Sequence, residues 1–337
     1  MSAIVDRLYN IQSINQWQHE RTMLHSSGIW GREPVLKYLA DGVIRTDDVV
    51  VDLGAGAGYP TLRVAAMLGA TGNVIGVDLS EAMIASARRH CRAGNLSFQV
   101  GDISQPLALV DEYADVVTGF MVLHNLRRAE MRRMLTEVER ILKPGGRAVF
   151  LTMHPDAFES QWDLQFLSYD LSALKRYRDA ADKEDIEIAG YARNIAGGEN
   201  AIMTVYHSRQ TVLDAVCDAR LMLAEERDLW IDRETAARMF GIGSIGRMPR
   251  TPTYWMLALA KSAAATNGHA DVAHSLYLST RRRSHLRLSE IRNDGARLCL
   301  GFALIRPKGV EQLVASLRDR PNEIPCQAID VTLLHRK

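Results

Sequence analysis

The sequence predicts an α/β protein built on a parallel sheet. Two observations carry that reading. Between residues 48 and 153, short apolar segments alternate with helical ones at the spacing of strand–helix–strand units. Three of those apolar segments run into acids, Asp52, Asp78 and Asp102, and the first is followed by a glycine-rich loop.

Residues 1–47 read as a helical cap. Ile4, Leu8, Ile11 and Ile14 recur at helical spacing, and Pro34 suits the first turn of a helix over Glu33–Ala40. Strands are expected at Asp48–Asp52, Asn73–Asp78, Leu96–Val100, Ala114–Met121 and Arg147–Met153. Helices are expected at 59–69, from an N-cap at Ser80 through His90, and at 128–142. Residues 48–155 thus make the first part of the core.

The rhythm breaks after His154-Pro155. Residues 156–200 are polar and irregular, and read as a mostly helical lid insertion carrying Trp162, Phe166, Tyr169, Tyr177 and Tyr191. Residues 201–263 resume the core: a strand at Ala201–Ser208, a helix at Gln210–Leu223, and strands at Glu226–Ile231 and Thr253–Lys261. That last pair would add an antiparallel hairpin to the sheet edge. Residues 264–337 read as a small α+β unit with strand Ala296–Ile305, helix Gly309–Leu317 and strand Ala328–Leu334.

Composition limits the function. The chain has 337 residues, 47% hydrophobic and 24% charged, ordinary for a globular protein. A net charge of +1 disfavours a chain built mainly to bind nucleic acid. Residues 264–337 are the basic part, with 12 Lys/Arg against 7 Asp/Glu and the run Arg281-Arg-Arg283. A solvated face, a homodimer interface and RNA contact are the three readings of that part, RNA being disfavoured because no aromatic residues interleave with the arginines. Cys91, Cys217, Cys299 and Cys326 form no C-x-x-C pair, which points to reduced thiols in the cytoplasm and to no metal site. Neither a signal peptide nor a membrane span is expected.

The loop Asp52-Leu-Gly-Ala-Gly-Ala-Gly58 carries the chemistry. Its glycines let the backbone turn and approach a ligand, and the helix after it points its amides at the same place. A dinucleotide loop reads G-x-G-x-x-G, but here Tyr59 stands where its third glycine belongs, and Gly58 comes one position early. Asp52 before the loop suits an ammonium group better than a pyrophosphate. Asp78 lies 20 residues after Gly58 and can accept from both hydroxyls of a ribose, and Asp102 can accept from an adenine amino group.

Val51-Asp-Leu-Gly-Ala-Gly-Ala-Gly58, Val77-Asp-Leu-Ser-Glu-Ala-Met83, Gly101-Asp-Ile103 and Leu142-Lys-Pro-Gly-Gly146 together resemble class I S-adenosylmethionine-dependent methyltransferases, in that family's order and spacing. The resemblance implies a Rossmann-like seven-stranded sheet and S-adenosylmethionine as cofactor. By it, Gly54, Gly56 and Gly58 would hold the methionine part and Asp52 its ammonium, directly or through water. Asp78, with Leu79 beside it, would hold the ribose side. Asp102 and Ile103 would take the adenine with Met83 packed near it, and Phe120 and Met121 would line the sulfonium.

A methyl sulfonium is already activated, so transfer needs alignment first and a base only sometimes. His124 after the fourth strand, His154 after the fifth, and Tyr9 in the cap are the candidate catalytic residues, with His207 a further histidine after the insertion. The fourth-strand motif is not the N/D-P-P-Y/F type used on exocyclic base amines, which disfavours DNA. The expected acceptor is a small organic molecule, methylated on oxygen, nitrogen or carbon, in specialised metabolism. The alternatives are an RNA or peptide acceptor, or a protein that binds the cofactor without transferring.

Overall fold

The structure, a computed structural model, describes residues 32–158, 167–169, 185–193, 199–230, 251–262, 286–293, 297–304 and 328–334. Tyr9, Trp17 and Trp30, the insertion residues Trp162, Phe166 and Tyr177, the arginine run and the expected helix at 309–317 lie outside them.

Helix α1 (32–38) winds into a π-turn at Leu39–Val43. The core then runs β1 (Val49–Leu53), α2 (Tyr59–Ala65), β2 (Asn73–Asp78), α3 (Glu81–His90), β3 (Leu96–Val100), β4 (Ala114–Phe120), α4 (Arg128–Ile141) and β5 (Leu142–Met153). After the insertion strands β6 (Leu167–Tyr169), β7 (Ile186–Arg193) and β8 (Glu199–Tyr206), it continues with α5 (Arg209–Asp218), β9 (Met222–Leu229) and β10 (Tyr254–Ala260). Strands β11 (Leu286–Asn293), β12 (Arg297–Leu304) and β13 (Ala328–Leu334) follow.

Seven strands form one sheet in the order β3-β2-β1-β4-β5-β10-β9. The first five are parallel, while β10 runs antiparallel to both β5 and β9, as the expected hairpin requires. This is the Rossmann-like seven-stranded sheet that the resemblance implies. Both its faces are buried. Along β5, Val149, Leu151 and Met153 pack with α1 and α2, whereas Ala148 and Phe150 pack with α4 and α5. In α4, Met131, Met134, Leu135, Val138 and Ile141 fall on one helical face and are all buried. Burying each such side chain contributes about 1.5–3 kcal/mol. The outer strand β9 carries Glu225, Glu226, Arg227 and Asp228, charges that discourage pairing with another chain's edge.

The insertion differs from expectation. Its described part is strand, not helix: β6, β7 and β8 form a separate three-stranded antiparallel sheet. The reason is legible in Asp185-Ile-Glu-Ile-Ala-Gly190, where exposed and buried residues alternate strictly, the period of a half-buried strand. Strand β8 belongs to this sheet and not to the seven-stranded one. At the C-terminal end, β12 pairs antiparallel with β11 and parallel with β13. The strands expected at 296–305 and 328–334 are there, and β11 is an additional one.

Candidate active site

All three acids sit at or just past the C-terminal ends of their strands, the edge where open α/β sheets bind ligands. Around the glycine loop, the backbone holds the geometry. The amides of Gly54 and Ala55 both donate to the Val77 carbonyl, at 2.8 and 3.0 Å, tying the loop to β2. Gly56 has φ 53°, left-handed backbone that favours glycine, and a Cβ there would meet nothing within 4 Å. The loop is therefore open above Gly56, where a ligand can lie against the backbone. Gly58 is also left-handed, at φ 85°, and has a second reason to be glycine, since a Cβ would lie 2.7 Å from the Phe98 ring.

Asp78 is half-buried and pre-oriented. Its Oδ2 accepts from the Gly56 amide at 2.8 Å and its Oδ1 from the Ser80 amide at 2.9 Å. Burial raises its pKa despite those two amides. Leu79 is half-exposed beside it, and Met83 is buried under the N-terminus of α3, whose Ser80 cap accepts from the Met83 amide. Asp102 uses Oδ1 for the amide and hydroxyl of Ser104, at 2.9 and 2.8 Å, which fixes the turn after β3. Ile103 is buried at that turn.

Asp52 is the most deeply placed acid, 1% exposed. Thr61 from α2 donates to its Oδ2 at 2.6 Å, and Thr118, its register partner on β4, donates to Oδ1 at 2.8 Å. Burial pushes its pKa up to about 6, and the nearby Asp78 adds to the rise. Neither threonine figured among the sequence candidates. The signal for Thr118 is a single hydroxyl among Val116, Val117, Gly119 and Phe120.

Strand β4 ends in buried Phe120 and then Met121, which adopts φ 61°. A left-handed methionine is strained, and such strain collects at functional sites. The structure holds it on both sides: the Met121 amide donates to Leu151 O at 2.7 Å, and Asn125 Nδ2 donates to Met121 O at 3.0 Å.

The three histidines separate cleanly. His124 lies on the 3-10 turn Leu123–Asn125, its Nδ1 3.1 Å from Thr152 Oγ1. Burial, with His207 nearby, lowers its pKa to about 3. A ring so reluctant to take a proton is a poor base near neutral pH. His154 is 1% exposed with both nitrogens occupied: Nδ1 accepts from the Asp156 amide at 3.0 Å, and Nε2 faces Asp228 Oδ1 at 3.2 Å. It is therefore a joint between β5 and β9, not a group offered to an acceptor. His207 is buried and donates from Nε2 to Leu126 O at 2.7 Å, and burial lowers its pKa too. His124, Thr152, His207 and Trp255 line one small cavity with Met153 and Val205. Among the described residues, no group of His, Cys, Asp and Glu is set to hold a metal, and no helix is long and apolar enough to cross a membrane.

Residues 50–146 match the family model described as a methyltransferase domain. The demethylmenaquinone methyltransferase of Symbiobacterium thermophilum is 33% identical over 150 residues, 43% of this chain and 53% of that protein. The arsenite methyltransferase of Halobacterium salinarum is 34% identical over 154 residues, 42% of this chain and 39% of that one. The chain thus spans about half the length, or less, of these curated relatives. Among solved structures, an S-adenosylmethionine-dependent methyltransferase from Clostridium acetobutylicum aligns over 74% of this chain and all of its own, at 14% identity and a TM-score of 0.49. One from Mesorhizobium loti aligns over 68% of this chain and 96% of its own, at 20% identity and a TM-score of 0.47.

Proposed function

We propose that this chain, whose residues 50–146 match a methyltransferase domain, is a class I S-adenosylmethionine-dependent methyltransferase that transfers a methyl group to a small organic acceptor. One observation carries the reading: the open, left-handed Gly56 sits beside an Asp78 carboxylate already oriented by two backbone amides. Backbone that a ligand can approach, next to a fixed acceptor of two hydroxyls, suits the methionine and ribose of one molecule. Asp102 then serves the adenine, and Asp52 lies beneath the ammonium.

Bound S-adenosylmethionine supplies a methyl group already activated on sulfonium. The chain supplies alignment: Phe120 and strained Met121 shape the wall beside that methyl, and the acceptor stands over the ends of β4 and β5. These residues would hold the acceptor in line with the methyl and keep water out, and the cofactor, when bound, would supply the methyl and take back the carbon–sulfur bonding pair. Proximity and orientation can contribute up to about 7–11 kcal/mol in the best cases. His124, neutral and half-buried, orients the acceptor by hydrogen bonding and does not act as a strong base. That favours acceptors that are nucleophilic without losing a tightly held proton. The relatives' names, for a demethylmenaquinone and arsenite, support a small acceptor. The insertion and the C-terminal strands go beyond a minimal core and fit a specialised biosynthetic role.

Calorimetry tests the cofactor half of this reading. Wild type should bind S-adenosylmethionine, and Asp78→Ala should lose hydrogen bonds to a charged group, each about 1.5–3 kcal/mol or ten- to hundredfold in affinity. Asp78→Asn, which keeps an acceptor for Gly56, controls for folding. A wild type that fails to bind, or an Asp78→Ala that binds equally well, overturns it. Transfer of labelled methyl to a panel of quinols, phenols, indoles and arsenite identifies the acceptor.

A further inference from the structure

The stretch that follows strained Met121 is gripped from one direction. Thr204 on β8 donates its hydroxyl to His124 O at 3.0 Å. Just past the end of β8, His207 donates from Nε2 to Leu126 O at 2.7 Å. Glu187 on β7 accepts from Arg127 at 2.8 Å, and Asp185 accepts from the Arg128 amide at 2.9 Å. Four contacts from the insertion's sheet thus land on five consecutive residues, 124–128. Two of them capture the carbonyls of the 3-10 turn itself and its exit.

That turn has a job. Its last residue, Asn125, holds the Met121 carbonyl, and Met121 is the strained residue at the end of β4. A left-handed methionine persists only where its surroundings over-determine it. The chain of contacts therefore runs from the insertion, through Thr204 and His207, to the turn, to Asn125 and to Met121. We infer that Thr204 and His207 are positioning residues, through which the insertion sets the wall beside the transferred methyl and is itself set by what binds there. The inference rests on the reading of Phe120 and Met121 as that wall.

The contacts are well suited to the task. Thr204 is 2% and His207 7% exposed, so water does not compete for either carbonyl. The outer contacts, Arg127 with Glu187 and Asp185 with Arg128, are exposed and contribute less. Coupling of this kind is reciprocal: whatever the cofactor does to the insertion, the insertion does to cofactor affinity by the same factor.

Hydrogen exchange on the full chain, with and without S-adenosylhomocysteine, tests the inference. In the unliganded protein, Thr204→Val and His207→Asn should each speed exchange across residues 119–127 by roughly three- to tenfold, the effect of one lost buried hydrogen bond. Residues 49–78 should not change. In wild type, S-adenosylhomocysteine should slow exchange in 199–207, and the two variants should lose that response. Thr204→Ser, which keeps the hydroxyl, should restore it. Unchanged exchange at 119–127 in both variants, or protection of 199–207 that survives them, overturns the inference. A wild type that does not bind S-adenosylhomocysteine would instead defeat the methyltransferase reading, and the unliganded exchange rates would still decide the grip.

Discussion

Replacing Asp52 by Asn should stabilise the unliganded protein and weaken cofactor binding. Asp52 is 1% exposed, and burial has raised its pKa from an ordinary 3.8 to about 6. A carboxyl whose folded pKa exceeds its unfolded one holds its proton in the folded state while the unfolded chain has already released it. Stability therefore falls as pH rises from about 3.8 to 6, and the loss is complete above that. Two pKa units at 1.36 kcal/mol each make it about 3 kcal/mol. Asn keeps the shape: its carbonyl accepts from one threonine hydroxyl, and its NH2 donates to the other. In urea titrations, the stability of Asp52→Asn minus that of wild type should therefore rise between pH 4 and 6 and then level off, the full rise being about 3 kcal/mol. Calorimetry at pH 8 should show the opposite sign for binding, because the buried charge that burdens the empty protein is what an ammonium group neutralises. For the same reason, wild-type affinity should decline as pH falls below about 6, and that of Asp52→Asn should not. A stability difference that stays flat between pH 4 and 6 would refute the buried-charge argument. Equal affinities at pH 8 would remove Asp52 from the ammonium site.

The histidines give the converse acid sensitivity. His124, with its pKa near 3, and His207, also lowered by burial, are held neutral in the fold, whereas the unfolded chain protonates them near pH 6.5. Stability present above pH 6.5 is thus lost as pH falls, by up to about 1.4 kcal/mol per unit for His124, with His207 acting in the same direction. Against wild type, His124→Asn should lose about 2 kcal/mol less between pH 6.5 and 5 by chemical denaturation, and parallel curves would contradict this. The two loop glycines should also part company. Gly56→Ala, in open space at φ 53°, should cost only about 1–2 kcal/mol of stability yet impair cofactor binding, whereas Gly58→Ala drives a Cβ towards Phe98 and Ala87 and should mainly destabilise the fold. Thermal melts paired with calorimetry separate these outcomes, and equal binding by Gly56→Ala would remove the loop from the site.

What was legible in the sequence is what the backbone states locally. An apolar run ending in an acid, a glycine that must turn left, and a cap at Ser80 each declare themselves within a few residues, and so the sheet, its edge hairpin and the acid-bearing edge followed. The insertion's strands declare themselves too, but over only the six residues Asp185–Gly190, inside a stretch whose charge and irregularity suggested helix. The roles of titratable groups are different in kind. His124, His154 and His207 each stand near a strand end and look alike in sequence; the structure separates them by what their ring nitrogens meet, a hydroxyl for His124, a carboxylate and an amide for His154, and a backbone carbonyl for His207. The state of Asp52 depends on Thr118, 66 residues away, and no local pattern encodes that pairing. The same holds for the grip on the turn after β4. Thr204 and His207 meet their carbonyls across 80 and 81 residues and belong to no motif. Losing either bond leaves a buried carbonyl without its partner, on the turn whose Asn125 holds the Met121 carbonyl.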